Sequence, residues 1–233
     1  MSLKLAGKIA PNMDDIKRII YQGFDTFEIH LEEKHLDNID ESVRLLLDAK
    51  KKFKINFISA HTPHTPRVDF YLERTKEMAK KVEIPIVLFH GSFIGDMFAE
   101  EILRKVTKGM IIENGSDNAV HDLDAIKSVI KRGINICFDI AHFHFDCERS
   151  ERDFYKDLEI LFKNWSTGIK LIHYNDCKKE QDNLAVGDGV INHKKALSII
   201  SKYYSGTMIL EVPPEKQGES REIVERILKE IKK

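Results

Sequence analysis

The sequence predicts an α/β fold, a closed (β/α)8 barrel of parallel strands ringed by helices, on three observations. Short runs rich in Ile, Val and Phe alternate with longer stretches of helical period from one end of the chain to the other, the pattern of repeated βα units. The 233 residues, 42% hydrophobic, suffice for one such core, read as a single domain over residues 1–233. No Gly/Ser-rich linker divides the chain, and no strand candidate leads into GxGxxG or GxxxxGK[ST]. An open doubly wound sheet built to cradle a nucleotide is therefore the weaker reading.

In order, strand 5–10 leads to a helix capped by Asn12 or Asp14 that runs to Gln22 and is stopped by Gly23. Strand 26–31 precedes helix 39–51, strand 55–60 precedes helix 70–81, and strand 84–90 precedes helix 99–106. Strand 110–113 leads to helix 123–131, closed again by a glycine, Gly133. Strands 134–140, 171–175 and 207–212 are followed by helices 154–162, 194–203 and 223–231.

The 37 Lys and Arg against 38 Asp and Glu provide no global field for steering toward nucleic acid or an anionic membrane. No stretch approaches the roughly 20 apolar residues of a membrane helix, and the first twenty residues carry no apolar core of a secretory signal. Cys137, Cys147 and Cys177 are odd in number and lack CxxC spacing, so reduced thiols and a cytoplasmic location are expected.

The chemistry is concentrated at strand ends. His61, His90, Glu113, Asp139, His173 and Glu211 terminate the apolar runs ISAH, VLFH, MIIE, ICFD, KLIH and MILE. They are separated by 29, 23, 26, 34 and 38 residues, each about one βα unit, so a barrel gathers all six on its C-terminal rim, where barrel enzymes place their sites. One such residue alone is ordinarily a solvated loop residue. Six in register, rich in carboxylate and imidazole and without clustered Cys, suit a divalent ion such as Zn2+, Mn2+, Co2+ or Mg2+. Glu28 and His30, at the end of the second strand, are placed either to contact substrate or to make a core hydrogen bond.

The strings IIENGS, CFDIAH, LIHYND and MILEV, together with VGDG at 186–189, resemble the xylose isomerase-like TIM barrels, the superfamily of endonuclease IV and of tagatose-3-epimerase-type sugar isomerases and epimerases. The resemblance spans nearly the whole chain. It implies one metal held by Glu113, Asp139, His173 and Glu211. In family epimerases the metal chelates two neighbouring oxygens of a ketose and so eases enediolate formation. The glutamates corresponding to Glu113 and Glu211 then remove and return the proton, which requires both to be ionised. The expected activity is accordingly that of a metal-dependent isomerase or epimerase acting on a sugar or sugar phosphate.

The alternative within the same superfamily is a zinc-dependent abasic-site DNA phosphodiesterase. His61 and His90 match the two histidines that hold an extra metal in endonuclease IV, with Glu113 as the bridge, so one or two ions per chain are implied. His142 matches the histidine three residues beyond the Asp that serves a third zinc. Ungapped alignment on the glycine loop puts Gln181 and Asn183 where the remaining Asp and His of that third site would stand. The chain has little length beyond the bare barrel for loops that grip DNA, and only Arg67, Arg104, Lys105, Lys178 and Lys179 fall near rim loops. A non-catalytic metal-binding barrel is the third reading, and a homodimer through outer helices is compatible with all three.

Overall fold

The computed structural model describes residues 3–65, 67–90, 106–115, 120–179 and 181–232. The barrel strands are β1 (Lys4–Ile9), β2 (Thr26–His30), β3 (Asn56–His61), β4 (Ile86–His90), β5 (Met110–Glu113), β6 (Ile136–Asp139), β7 (Ile169–Tyr174) and, after a two-stranded hairpin, β10 (Thr207–Leu210). They close in that order, β10 pairing with β1, and every neighbouring pair is parallel. The expected strands all form, with ends shifted by one or two residues.

The helices are α1 (Met13–Tyr21), α2 (Glu33–Asp37), α3 (Ile39–Phe53), α4 (Val68–Val82), α5 (Leu123–Lys131), α6 (Ile140–Arg149), α7 (Phe154–Trp165), α8 (His193–Tyr203) and α9 (Gln217–Ile231). Residues 99–105 of the helix expected after β4, with Arg104 and Lys105, lie outside the described residues. Side-chain caps start several of the helices: Asn12 accepts from Asp14 N, Asp122 from Ala125 N, Asp153 from Tyr155 N and Asn192 from Lys195 N. No described helix is long and apolar enough to cross a membrane.

Four elements depart from expectation, among them the short helix α2 between β2 and α3. The hairpin β8 (Asp176–Lys178) and β9 (Gln181–Leu184) follows β7, with Lys178 and Lys179 exposed at its turn. Helix α6 grows straight out of β6 because Asp139 serves as its N-cap, accepting from His142 N at 2.8 Å. Helix α9 begins six residues before its apolar repeat, because its first turns bury polar Gln217 and Ser220 rather than hydrophobics.

Two apolar layers support the site. The larger one packs the outward faces of the strands against the helices, with Phe27, Phe89, Phe138 and Ile172 fully buried in it. The smaller fills the barrel bore with Ala6, Leu88, Ile111, Cys137, Leu171 and Ile209. Strand side chains alternate with period two, so the next inward positions are Lys8, His90, Glu113, Asp139, His173 and Glu211. Glu28 pairs in register with Lys8, and His61 with His30, so β2 and β3 complete the polar layer above the apolar plug.

The loop after the hairpin is organised by Asp176, which is fully buried. Its carboxylate accepts from Cys177 N, Gly187 N, Gly189 N, Ile191 N and His193 Nε2 at 2.8–3.1 Å. A side chain at Gly189 would collide with this carboxylate and with the Cys177 carbonyl, which explains the glycine. Burial alone would raise the Asp176 pKa, but the bonds from His193 and the amides of Ile191 and Gly189 hold it down at about 2. A depressed carboxylate stabilises the fold above its ordinary pKa, so about 2 kcal/mol is lost as pH falls from 4 through 2. Asp176→Ala is expected to cost about 3 kcal/mol by denaturant unfolding at neutral pH and to remove this acid dependence.

Candidate metal centre

Each barrel strand contributes one side chain to the polar layer: Lys8, Glu28, His61, His90, Glu113, Asp139, His173 and Glu211. Six of the eight are the residues read from the sequence. One ligand atom each from Glu113, Asp139, His173 and Glu211 lie within 4.8 Å of one another, and the same holds for His61, His90 and Glu113 and for Glu28, His61 and His173. His173 Nδ1 stands 2.8 Å from Glu113 Oε1 and also contacts Glu211 Oε2. His61 Nε2 and His90 Nε2 lie 3.2 and 3.5 Å from Glu113 Oε2.

Neighbouring side chains fix these groups. Asn114 Oδ1 accepts from Asp139 N at 2.7 Å and its Nδ2 donates to Asp139 O at 3.0 Å, tying the end of β5 to that of β6. Asn175 Nδ2 donates to Asp139 Oδ2 at 3.0 Å. Ser59 Oγ donates to Glu28 Oε2 at 2.7 Å. His142 is carried by α6 at the edge of the site, with Nδ1 2.9 Å from Asn114 O and 3.8 Å from Asp139 Oδ1. Its Nε2 meets Asp182 Oδ2 at 3.0 Å, so the residue that approaches His142 lies between Gln181 and Asn183, the two the ungapped alignment selected.

Four buried or nearly buried carboxylates, Glu28, Glu113, Asp139 and Glu211, face one ammonium, Lys8, whose Nζ contacts Glu211 Oε1 and stands 3.6 Å from Glu28 Oε1. Two carboxylates about 4 Å apart repel by about 4 kcal/mol at an effective dielectric of ~20, so the set draws on positive charge beside it: Lys8, and His173, whose pKa the surrounding carboxylates raise. Glu28 Oε1 stands 2.9 Å from His173 Nε2 and Glu211 Oε2 contacts His173 Nδ1, so with Glu113 three of the carboxylates converge on one imidazole. Convergent carboxylate and imidazole donors whose ligand atoms lie within 4.8 Å of one another fit a divalent cation. Burial, reinforced by Glu211 and Glu113 though opposed by His142, pushes Asp139 up to about 6. Burial also holds His90 down at about 3, which keeps its imidazole neutral and able to ligate.

The layer opens on a cleft of about 340 Å3 reached by Lys8, His30, Asp15 and Glu211 and walled by Val212, Pro213 and Pro214. Lys8 and Glu211 side chains are 11% and 14% exposed, whereas Glu113 is 1% exposed, so the two glutamates are not equivalent: Glu211 faces the cleft and Glu113 lies beneath it. Lys8 escaped the sequence reading. Its signal was the alternation KLAGK, which turns Ala6 and Lys8 to the same face of a barrel strand. Glu28 belongs to the layer, while His30 stands at the cleft, edge-on to His61 with ring centroids 5.8 Å apart. Cys177 is buried as a thiol, and Phe143 and Phe145 pack in the core.

The family model for the xylose isomerase-like TIM barrel matches residues 110–232. Among solved structures, a D-tagatose 3-epimerase-like protein is similar over 97% of this chain and 98% of its own, with TM-score 0.73 and 19% identity. Endonuclease IV from Thermus thermophilus is similar over 97% and 99%, with TM-score 0.68 and 12% identity. A xylose isomerase domain protein from Alicyclobacillus acidocaldarius matches over 100% of both chains, with TM-score 0.69 and 11% identity. No curated protein matches the sequence.

Proposed function

The chain belongs to the xylose isomerase-like TIM barrel family, and we propose that within it this protein is a divalent-metal-dependent isomerase or epimerase of a small sugar or sugar phosphate. The observation that carries the reading is the pair of carboxylates Glu113 and Glu211 gathered with Asp139 and His173, with Glu211 opening onto a cleft of about 340 Å3. That volume suits one small polyhydroxylated molecule, at the lower end of ligand pockets. Glu113, Asp139, His173 and Glu211 would hold the ion, Zn2+ or Mn2+ by donor type. When bound, it would polarise a carbonyl oxygen and lower the cost of charge developing there.

The chain's own residues supply the rest. Burial opposes ionisation of Glu211, but His173 and Lys8 outweigh it and hold the carboxyl below the ordinary carboxylate range, ready to accept a proton. Glu113 is likewise ionised, with His173 overcoming burial. Val212, Pro213 and Pro214 keep water from one wall of the cleft. Among the described lining residues only Lys8 and His30 are basic, which favours a small ligand over a duplex backbone.

The reading is tested by incubating metal-loaded protein with a panel of ketoses and ketose phosphates in D2O. Deuterium at the carbon beside the carbonyl of one of them is expected. A panel without exchange, alongside cleavage of an abasic oligonucleotide, would transfer the assignment to a phosphodiesterase like endonuclease IV. The clustering of His61, His90 and Glu113, able to hold a second ion, is the specific support for that second reading.

A further inference from the structure

Barrel enzymes that take phosphorylated substrates frequently seat the phosphate on the loops after their seventh and eighth strands, where backbone N–H groups converge on an anion. In this chain the loop between the hairpin and α8 has the form of such a nest. Gly187 adopts a φ of 100°, and the amides of Gly187, Gly189 and Ile191 point to one place. The anion found there is the chain's own Asp176 carboxylate, at 3.1, 2.8 and 3.1 Å from the three nitrogens.

The remaining amides of the loop are taken as well. Val186 N donates to Ser220 Oγ, Asp188 N to Ala185 O, Val190 N to Cys177 O and Asn192 N to the Tyr155 hydroxyl, so all seven from 186 to 192 have an acceptor within the chain. A Cβ at Gly189 would stand 2.3 Å from Asp176 Oδ1, and loop and carboxylate leave no space for a phosphoryl group between them.

The loop after β10 offers no replacement. Pro213 and Pro214 have no N–H to donate, and at the start of α9 Gly218 N is held by Gln22 Oε1 at 2.8 Å. At the first turn of α1, Asn12 caps the amides of Asp14 and Asp15, and Asp15 lines the cleft. The Lys8 ammonium is met by Glu211 and lies 3.6 Å from Glu28 Oε1. Lys178 and Lys179, at the hairpin turn, are not among the described residues that line the cleft. A phosphate dianion placed there would face Asp15 and Glu211 with no cation of its own.

We infer that Asp176 closes the phosphate seat of this barrel and that the cleft takes an unphosphorylated ketose, laid against the apolar wall of Ile9, Val212, Pro213 and Pro214. This narrows the isomerase reading above and rests on it.

Matched pairs test it: D-fructose and its terminal phosphate ester, and D-ribulose and its own, each incubated with zinc-loaded protein in D2O. The free ketose of a pair is expected to exchange with a kcat/KM at least about 100-fold higher, because its partner brings two negative charges beside two carboxylates. A phosphate ester that exchanges as well as the free sugar, or better, would overturn the inference. Inorganic phosphate titrated into the same protein, followed by nitrogen-proton correlation spectra, reads the seat without any turnover. The amides of Gly187, Gly189 and Ile191 should stay in place, and a saturable shift of all three would show the seat to be open. If neither member of either pair exchanges, the isomerase reading fails for these sugars, and the titration alone decides whether Asp176 closes the seat.

Discussion

Glu211→Gln, assayed at saturating metal on the substrate identified by exchange, lowers kcat/KM by roughly 10²- to 10⁴-fold, the usual share of a positioned general acid or base. Glutamine keeps the size and an acceptor oxygen but cannot take a proton, so the loss measures proton transfer rather than space. Glu113→Gln is expected to fall at least as far and to weaken metal binding as well. Glu113 belongs to two of the three metal-capable groups, one with His61 and His90 and one with Asp139, His173 and Glu211, whereas Glu211 belongs to one and faces the cleft. The two variants should therefore separate, Glu211→Gln mainly in turnover and Glu113→Gln in turnover and metal affinity together. Unchanged kcat/KM in Glu211→Gln would remove it from the reaction.

His173→Ala is expected to weaken metal binding by at least about 100-fold, beyond what loss of an orienting neighbour typically costs. The ring sits at the centre of the site, touching Glu113, Glu211 and Glu28 with no exposed surface. Burial favours neutral His173, yet the anionic groups around it, Glu211, Glu28 and Glu113 among them, win and hold its pKa well above the usual histidine range. A ligand must shed that proton, so metal loading releases it, and the apparent Kd weakens by about tenfold per pH unit below that raised pKa. Calorimetry in buffers of differing ionisation heat reads the released proton directly. Chelation should also lower stability, by about 2.7 kcal/mol for protein previously held at a hundred times its Kd.

Most of this site could be read from the chain because the barrel imposes two regularities that survive in sequence. One is the spacing of a βα unit, which separates His61, His90, Glu113, Asp139, His173 and Glu211. The other is the apolar run ending in a polar residue, which marks the step from the plug layer of Leu88, Ile111, Leu171 and Ile209 to the layer above it. Lys8 was hidden because KLAGKIA carries Gly7 and a lysine at either side, and Lys8 falls inside the expected strand 5–10 rather than at the end of an apolar run. Glu28 was visible as a strand-end residue, but its choice between core and site depended on His173 and Ser59, which no local pattern supplies. Helix α6 was concealed because Asp139 combines the end of a strand with a helix cap, leaving no turn signal between them. The asymmetry of Glu113 and Glu211 is likewise tertiary: it comes from the cleft opening beside Pro213 and Pro214.

Anomalous diffraction from crystals of protein purified without chelator, collected at the zinc and manganese edges, tests the metal assignment most directly. The account predicts a single peak at about 2.0–2.2 Å from oxygen of Glu113, Asp139 and Glu211 and nitrogen of His173. A peak held instead by His61 and His90, or none among the eight strand-end residues after metal loading, would contradict it.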